Sequence, residues 1–426
     1  MADVGGQVTP VPDSSDDGRA RSPAARASEA APTDVPEPTA DHDPLRWLLD
    51  ASHTLEPGDL GPAVARALQA HGVDEIGLFV VDHNHVRLNP VTPTGDGDGA
   101  LDIAGTPAGR AFSWESTQVE TSAGGEVHVW APLIDGTARL GVLRVDLSGP
   151  ADDVALRAIE QIAALTAELL VAKSQYTDIF ELARRDQPMT LAAELQRSSL
   201  PPIALVTDRV AVAGMLQPAY EVAGDSFDYA LNHDGLHVAI LDSVGHDLDS
   251  SLVSHLVQGC LRNCRRRGVG LADAYAEADD ALAQRFPDLR FATAAFGCLD
   301  LESGMFRWVS AGHPAPLVLR QGAVAGPAPV TPSVPIGLGR GAPATVNEVH
   351  LEPGDGLVLY TDGVVEGGVR GSERFGLQRF TDVLDTVIDA GLPPAEVLRR
   401  LTHAVLEHST YELRDDVGIM LVQRLG

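Results

Sequence analysis

A chain of 426 residues with 44% hydrophobic side chains is long enough for more than one core, and its formal charge of −29 argues against partners that need a basic face. Nucleic acids and anionic membranes are such partners, and no apolar run reaches the roughly 18 residues of a membrane helix. Three cysteines and no recognisable signal peptide fit a reducing, cytoplasmic setting and exclude a disulfide scaffold.

Residues 1–43 are rich in Pro, Ala, Ser and Asp and nearly lack large apolar side chains. Such a segment cannot bury enough surface to offset its ordering entropy, so a disordered tail is expected. Residues 44–150 read as a compact α+β module. "DPLRWLLDASHT" and "GDLGPAVARALQAHG" have helical apolar spacing, and "IGLFVVDHNHVRLNPV" reads as two strands around a turn. "EVHVWAPLIDGTARLGVLRVDLS" alternates on both sides of an Asp135-Gly136 turn, the pattern of a hairpin. The stretch "VWAPLIDGTARLGVLRVDL" resembles the central hairpin of GAF domains. That resemblance implies a sensor that binds a small molecule or dimerises. His83, His85 and His128 lie here; isolated strand and turn histidines are more often structural than ligating.

Residues 151–200 read as a helical linker. Ala158, Ile162, Leu165, Leu169, Ala172, Tyr176, Ile179 and Ala183 form a heptad seam, consistent with a parallel dimer coil or with a packed helical hairpin. The coil is favoured, since it would join a sensor to an effector. Pro201 and Pro202 end the linker.

From 201 onward strands dominate. "EVAGDSFDYALNHDGLHVAILDSVGH" places Asp225, Asp228 and Asp242 among residues that otherwise read as buried strand. Clustered carboxylates repel one another and are costly to desolvate unless a divalent metal turns repulsion into ligation. A two-residue Asp234-Gly235 turn pairs Phe227 with Asp242, so that Asp225 and Asp242 share a face diagonally and Asp228 points away. A three-residue turn would reverse these faces. Asp362 closes the apolar strand of "GDGLVLYTDGVVE", and Asp415 and Asp416 precede the last strand. Cys260 and Cys264, four apart on a helix, read as packing residues, and "CRRRG" at 264–268 reads as a solvated helix end.

The ordered motifs "LQRSSLPP", "EVAGDSFDY", "LDSVGHD", "SAGHPAP", "LYTDGVVE" and "RDDVGIMLV" resemble the SpoIIE-like, RsbU-like branch of the PPM-type serine/threonine phosphatases across roughly 195–425. The resemblance implies an α-β-β-α sandwich over 201–426 that holds two divalent metals, Mn²⁺ or Mg²⁺. By motif, Asp225, Asp242, the Ser243 backbone carbonyl, Asp362 and Asp415 would hold the metals. Asp228 and Asp416 would support them, His246 would protonate the leaving group, and His313 would brace a turn. The implied substrate is a phosphoprotein, a STAS-type anti-anti-sigma factor, dephosphorylated under control of the GAF-like sensor in a homodimer. Three positions depart from the usual pattern: Ala223 and Asp247 replace glycines, and Gly418 replaces threonine. They leave open a catalytically weak scaffold as the alternative; a metal nuclease is disfavoured by the charge.

Overall fold

The computed structural model describes residues 43–91, 99–122, 124–220, 224–245, 247–286, 290–367, 374–410, 413 and 415–426. The expected disordered tail, apart from Asp43, lies outside the described residues, as do Ala223 and His246.

The Asp43 carboxylate accepts the Leu45 N–H at 3.1 Å and Pro44 occupies the first turn, so α1 (Pro44–Ser52) starts there. Helix α2 (Leu60–Leu68) turns Leu60, Val64 and Leu68 inward. A six-stranded antiparallel sheet follows, built from β1 (Val73–Val81), β2 (Arg87–Pro90), β3 (Leu101–Asp102), β4 (Gln118–Thr121), β5 (Val127–Asp135) and β6 (Ala138–Leu147), in the order β3-β2-β1-β6-β5-β4. Helix α3 (Pro107–Trp114) covers one face. The predicted β5–β6 hairpin is present, with Asp135 paired to Ala138 and the turn moved one residue on, to Gly136-Thr137. Gly136 supplies the positive φ that such a turn needs.

Helix α4 (Asp153–Ser174) is capped by the Asp152 carboxylate. The heptad reading requires correction here. Ala158, Ile162 and Leu169 are buried against their own sheet, in one core with Val64, Val129 and Leu143. These three seam positions are therefore occupied within the chain, Leu165 and Ala183 are partly buried, and Ala172, Tyr176 and Ile179 are exposed. The linker also breaks: α5 (Ile179–Ala183) and α6 (Leu191–Ser199) are separate short helices. Lys173, the sole lysine, donates from α4 to the carbonyls of Ser52 and Leu55 at the end of α1.

The rest of the chain is a two-sheet sandwich. Its strands are β7 (Ala204–Val206), β8 (Val210–Gln217), β9 (Ser226–Asn232), β10 (Gly235–Ser243), β11 (Ala292–Leu299), β12 (Met305–Ala311), β13 (Leu317–Arg320), β14 (Ala323–Pro327), β15 (Asn347–His350), β16 (Gly356–Tyr360) and β17 (Val417–Arg424). One sheet runs β15-β12-β11-β10-β9 and the other β14-β13-β16-β17-β8-β7. Phe227, Val238, Ile240 and Trp308 of the first pack between the sheets against Val212, Leu359, Met420 and Val422 of the second. Helices α7 (Leu248–Arg266) and α8 (Leu271–Arg285) cover the first sheet, burying Leu241, Val257 and Tyr275. The short α9 (Asp362–Glu366) follows β16, and α10 (Gly376–Asp389) and α11 (Pro394–His408) cover the second sheet over Val358, Ile419 and Leu421. This is the α-β-β-α layering expected from the motifs. Cys264 is buried in the α7–α8 core, as its helical spacing suggested.

The two folded regions also meet. Arg139 of β6 donates to Glu396 of α11 at 2.8 Å, both side chains being essentially inaccessible. The carbonyls of Asn84 and His85 accept from His403 and Arg399. His83 bonds to Glu181, and His128 to Asp146, so neither stands alone.

Candidate metal centre

The β9–β10 register decides where the carboxylates point. Asn232 pairs with Gly235 and Phe227 with Ile240, so the turn is His233-Asp234, one residue earlier than predicted, and the Phe227–Asp242 pairing does not form. The shift amounts to two residues in pairing, so the assignment of faces survives. The Ser243 N–H donates to the Gly224 carbonyl at 3.3 Å, extending the ladder beyond Ser226–Leu241. Asp225 and Asp242 thus sit directly opposite one another rather than diagonally. Both continue the rows of Phe227 and Ile240 that point between the sheets.

Asp228 alternates to the other face, where Arg262 and Arg265 of α7 hold it at 2.7 and 2.9 Å. It does not face the cluster. The same contact corrects the reading of "CRRRG": Arg265 is an internal ion-pair partner and not a solvated end.

The second sheet supplies the remaining carboxylates. Asp416 lies on the inward row of β17, and its Oδ2 accepts the backbone N–H groups of Gly224 at 2.8 Å and Asp225 at 3.2 Å. Asp415 beside it is exposed, and its Oδ1 accepts the Asp416 N–H at 3.0 Å. Asp362 opens α9 at the end of β16 and is also exposed. Its neighbour Gly363 is required by close approach, because a Cβ there would lie 1.9 Å from the Asp416 carbonyl. Asp225 is buried at the floor and Asp242 is partly buried, whereas Asp362 and Asp415 form the mouth.

Electrostatics sets this group apart. Burial, then the charges of Asp242 and Asp416, push the Asp225 carboxyl well above its usual range. Burial, then Asp362, Asp415 and Asp416, push Asp242 up to about 7. Burial and the charge of Asp415 raise Asp362 as well. The one side-chain donor to Asp225 among the described residues is Thr361, whose hydroxyl gives it a 2.6 Å bond and accepts from the Gly418 N–H at 2.9 Å.

A Cβ on Gly224 would lie 2.8 Å from the Ser243 carbonyl and 3.1 Å from the Gly245 carbonyl, so glycine leaves these oxygens converging beside Asp225. Ser243 is held in place by its hydroxyl, which lies 3.1 Å from the Gly224 carbonyl and 2.8 Å from that of Ser250. Crowded carboxylates and carbonyls are the hard oxygen donors that Mg²⁺ or Mn²⁺ takes. The residues present fit such ions.

Three sequence readings meet structure here. The Gly418 departure has a physical reason: a Cβ would stand 3.2 Å from Asp225 Oδ2 and 3.1 Å from the Thr361 methyl, so Thr361 occupies the space and supplies the hydroxyl. Thr361 was missed; its signal was its place at the strand end just before Asp362. Asp247 is the N-cap of α7, accepting the Ser250 N–H at 3.0 Å with Arg290 alongside at 3.5 Å. The Nδ1 of His313 lies 2.8 Å from the hydroxyl of Thr293, the residue paired with Asp242 on β11.

Residues 232–425 match the family described as Stage II sporulation protein E (SpoIIE). The chain is 22% identical over 304 residues to the protein IcfG of Synechocystis sp., a match covering 62% of this chain and 46% of IcfG. It is 19% identical over 236 residues to the phosphoserine phosphatase RsbU of Bacillus subtilis, covering 55% of this chain and 69% of RsbU. Among solved structures, the RsbU and RsbW domains of Rv1364c from Mycobacterium tuberculosis align with 26% identity and a TM-score of 0.44, over 52% of this chain and 62% of that one. Residues 232–425 are therefore similar to a SpoIIE-type domain, and the chain is homologous to PPM-type serine/threonine phosphatases.

Proposed function

We propose that this chain is a metal-dependent protein phosphatase that removes phosphate from serine or threonine of a regulatory protein. The observation that carries the reading is the carboxylate cluster itself. Asp225, Asp242, Asp362 and Asp415 repel one another across two facing strands and two strand ends, a repulsion that divalent cations would relieve.

Two divalent cations, when bound, would lower the pKa of water and neutralise charge on phosphoryl oxygens. Asp225 and Asp242 would hold them at the floor, with the Ser243 carbonyl adding a neutral oxygen. Asp362 and Asp415 would complete the set at the open mouth, where a phosphorylated side chain can enter. Thr361 and Asp416 fix the floor: one bonds the Asp225 carboxylate, the other its backbone N–H. His246, outside the described residues, is proposed to give a proton to the departing serine or threonine oxygen.

The partner reading follows from RsbU being a phosphoserine phosphatase. A STAS-type anti-anti-sigma factor is the proposed substrate, and residues 44–150 are proposed as a GAF-like sensor with a small-molecule ligand. A homodimer and a cytoplasmic location are part of the same proposal; no helix among the described residues is long and apolar enough to cross a membrane. Hydrolysis of p-nitrophenyl phosphate with Mn²⁺ tests the core of it. Turnover should vanish with a chelator and in Asp242→Asn. Turnover that survives both would end the metal-phosphatase reading.

A further inference from the structure

At the opposite end of β10 a second group of ligating side chains converges. His237 and Cys298 are direct cross-strand partners on β10 and β11, and Asp234 belongs to the turn that leads into β10. The ligand atoms of all three lie within 4.8 Å of one another. His237 Nε2 is 3.0 Å from Asp234 Oδ2 and 3.7 Å from Cys298 Sγ. One ring nitrogen therefore faces the space between an oxygen and a sulfur. A tetrahedral ion with metal–nitrogen and metal–sulfur bonds of about 2.0–2.3 Å separates its ligand atoms by about 3.3–3.8 Å. The two separations from His237 Nε2, 3.0 and 3.7 Å, already stand near that spacing, and the third pair lies within 4.8 Å.

The backbone is shaped to bring them together. Gly235 has φ +138°, and a Cβ there would lie 2.2 Å from the Leu299 carbonyl and 3.2 Å from Cys298 Sγ, so the turn can close on Cys298 only as glycine. The Asp234 side chain is 68% exposed while that of His237 is 17% exposed. A cavity of about 190 Å³, bordered also by Leu271 and Phe296, opens at the group and leaves a fourth coordination position accessible.

We propose that Asp234, His237 and Cys298 form a binding site for a zinc-class transition-metal ion, separate from the carboxylate centre. The donor set selects the ion: thiolate and imidazole favour Zn²⁺ and its neighbours over Mg²⁺ or Mn²⁺, which take oxygen. Five residue steps of extended strand separate His237 from Asp242, about 16 Å at ~3.3 Å per residue. The ion would tie the β9–β10 turn to β11, bracing the hairpin whose other end carries Asp225 and Asp242. Binding releases the Cys298 thiol proton to solvent and involves no redox change.

Co²⁺ titration of the full chain in saturating Mg²⁺ tests this, because only a thiolate ligand produces the near-ultraviolet sulfur-to-cobalt charge-transfer band. One equivalent should develop the band, and Zn²⁺ should bleach it. Cys298→Ser should abolish it, Asp234→Asn at the exposed turn should weaken Co²⁺ binding about tenfold or more, and Asp242→Asn should leave it intact. The last arm keeps the result independent of the phosphatase reading. Absence of the band in the wild-type chain overturns the proposal. So does a band that persists in Cys298→Ser, which would assign the thiolate to Cys260 or Cys264, or one undiminished in Asp234→Asn should the serine variant fail to fold.

Discussion

Two groups of buried acid in this chain meet the same desolvation cost in opposite ways. Glu396, at the contact between the two folded regions, is fully enclosed and receives three arginines: Arg139 at 2.8 Å, Arg399 at 2.8 Å to each oxygen, and Arg400 at 2.9 Å. Burial pushes its carboxyl up, but the hydrogen bonds and charge of Arg399, with those of Arg139, outweigh it and hold Glu396 at about 2. Asp225 and Asp242 receive the reverse treatment: burial and neighbouring carboxylates act in the same direction, and both rise. One site is neutralised by arginines of the chain; the other gathers like charges, the arrangement that the proposed cations would complete. A buried acid with its own partners reads as architecture, and a buried acid among acids reads as a binding site.

The contrast can be broken by substitution. Asp242→Asn should lower Mn²⁺-dependent turnover by about 10³-fold or more, the loss of several kcal/mol of charge stabilisation. In chelator the same variant should melt above wild type, because it removes a repelling charge; a lower melting point would mean that the cluster is not strained. Glu396→Gln should do the opposite. It leaves arginines buried without their counter-charge, at a cost of about 3–5 kcal/mol in urea denaturation. The pH dependence has a definite sign as well. Glu396 is held below its ordinary value, so its stabilisation is present above the unfolded pKa near 4.5 and is lost as pH falls toward about 2. Glu396→Gln should therefore narrow the stability gap to wild type as the solution is acidified through that window.

Thr361→Val sharpens the comparison at intermediate size. It removes the hydroxyl bonded to Asp225 while keeping the shape, and should weaken metal binding about 10–100-fold, read by Mn²⁺ titration. An unchanged titration would show that Asp225 needs no neutral donor.

The carboxylate centre was legible because its parts are local. Each acid sits beside a turn or at a strand end, and the period of two fixes its face. Even a turn displaced by one residue left Asp225 and Asp242 on a common face, since the pairing moved by an even number. Glu396 was not legible. Nothing in "PAEVLRR" announces that Arg139, 257 positions away, will reach it, because that contact forms only when two regions dock. The heptad seam was ambiguous for a related reason: periodicity shows that a helix has an apolar stripe but not which surface covers it. Ala158, Ile162 and Leu169 found their own sheet. Thr361 and the Asp234–His237–Cys298 group were missed because their meaning lies in neighbours across strands.

The smallest predicted effect concerns Asp247, a residue whose negative charge beside the centre could either impede an anionic substrate or serve the helix behind it. Its carboxylate accepts the Ser250 N–H at the first turn of α7, which with Arg290 holds it below the ordinary carboxylate range. Ser250 in turn offers its carbonyl to Ser243, the residue proposed to supply a backbone oxygen to the metals. The capping role therefore reaches the site through geometry rather than through charge. Asp247→Ala should cost about 1 kcal/mol of stability, and Asp247→Asn, which keeps the cap but removes the charge, should recover most of it. If charge repulsion of substrate dominates instead, both variants should raise kcat/KM alike. The cap reading predicts that turnover follows stability, with asparagine close to wild type and alanine below it.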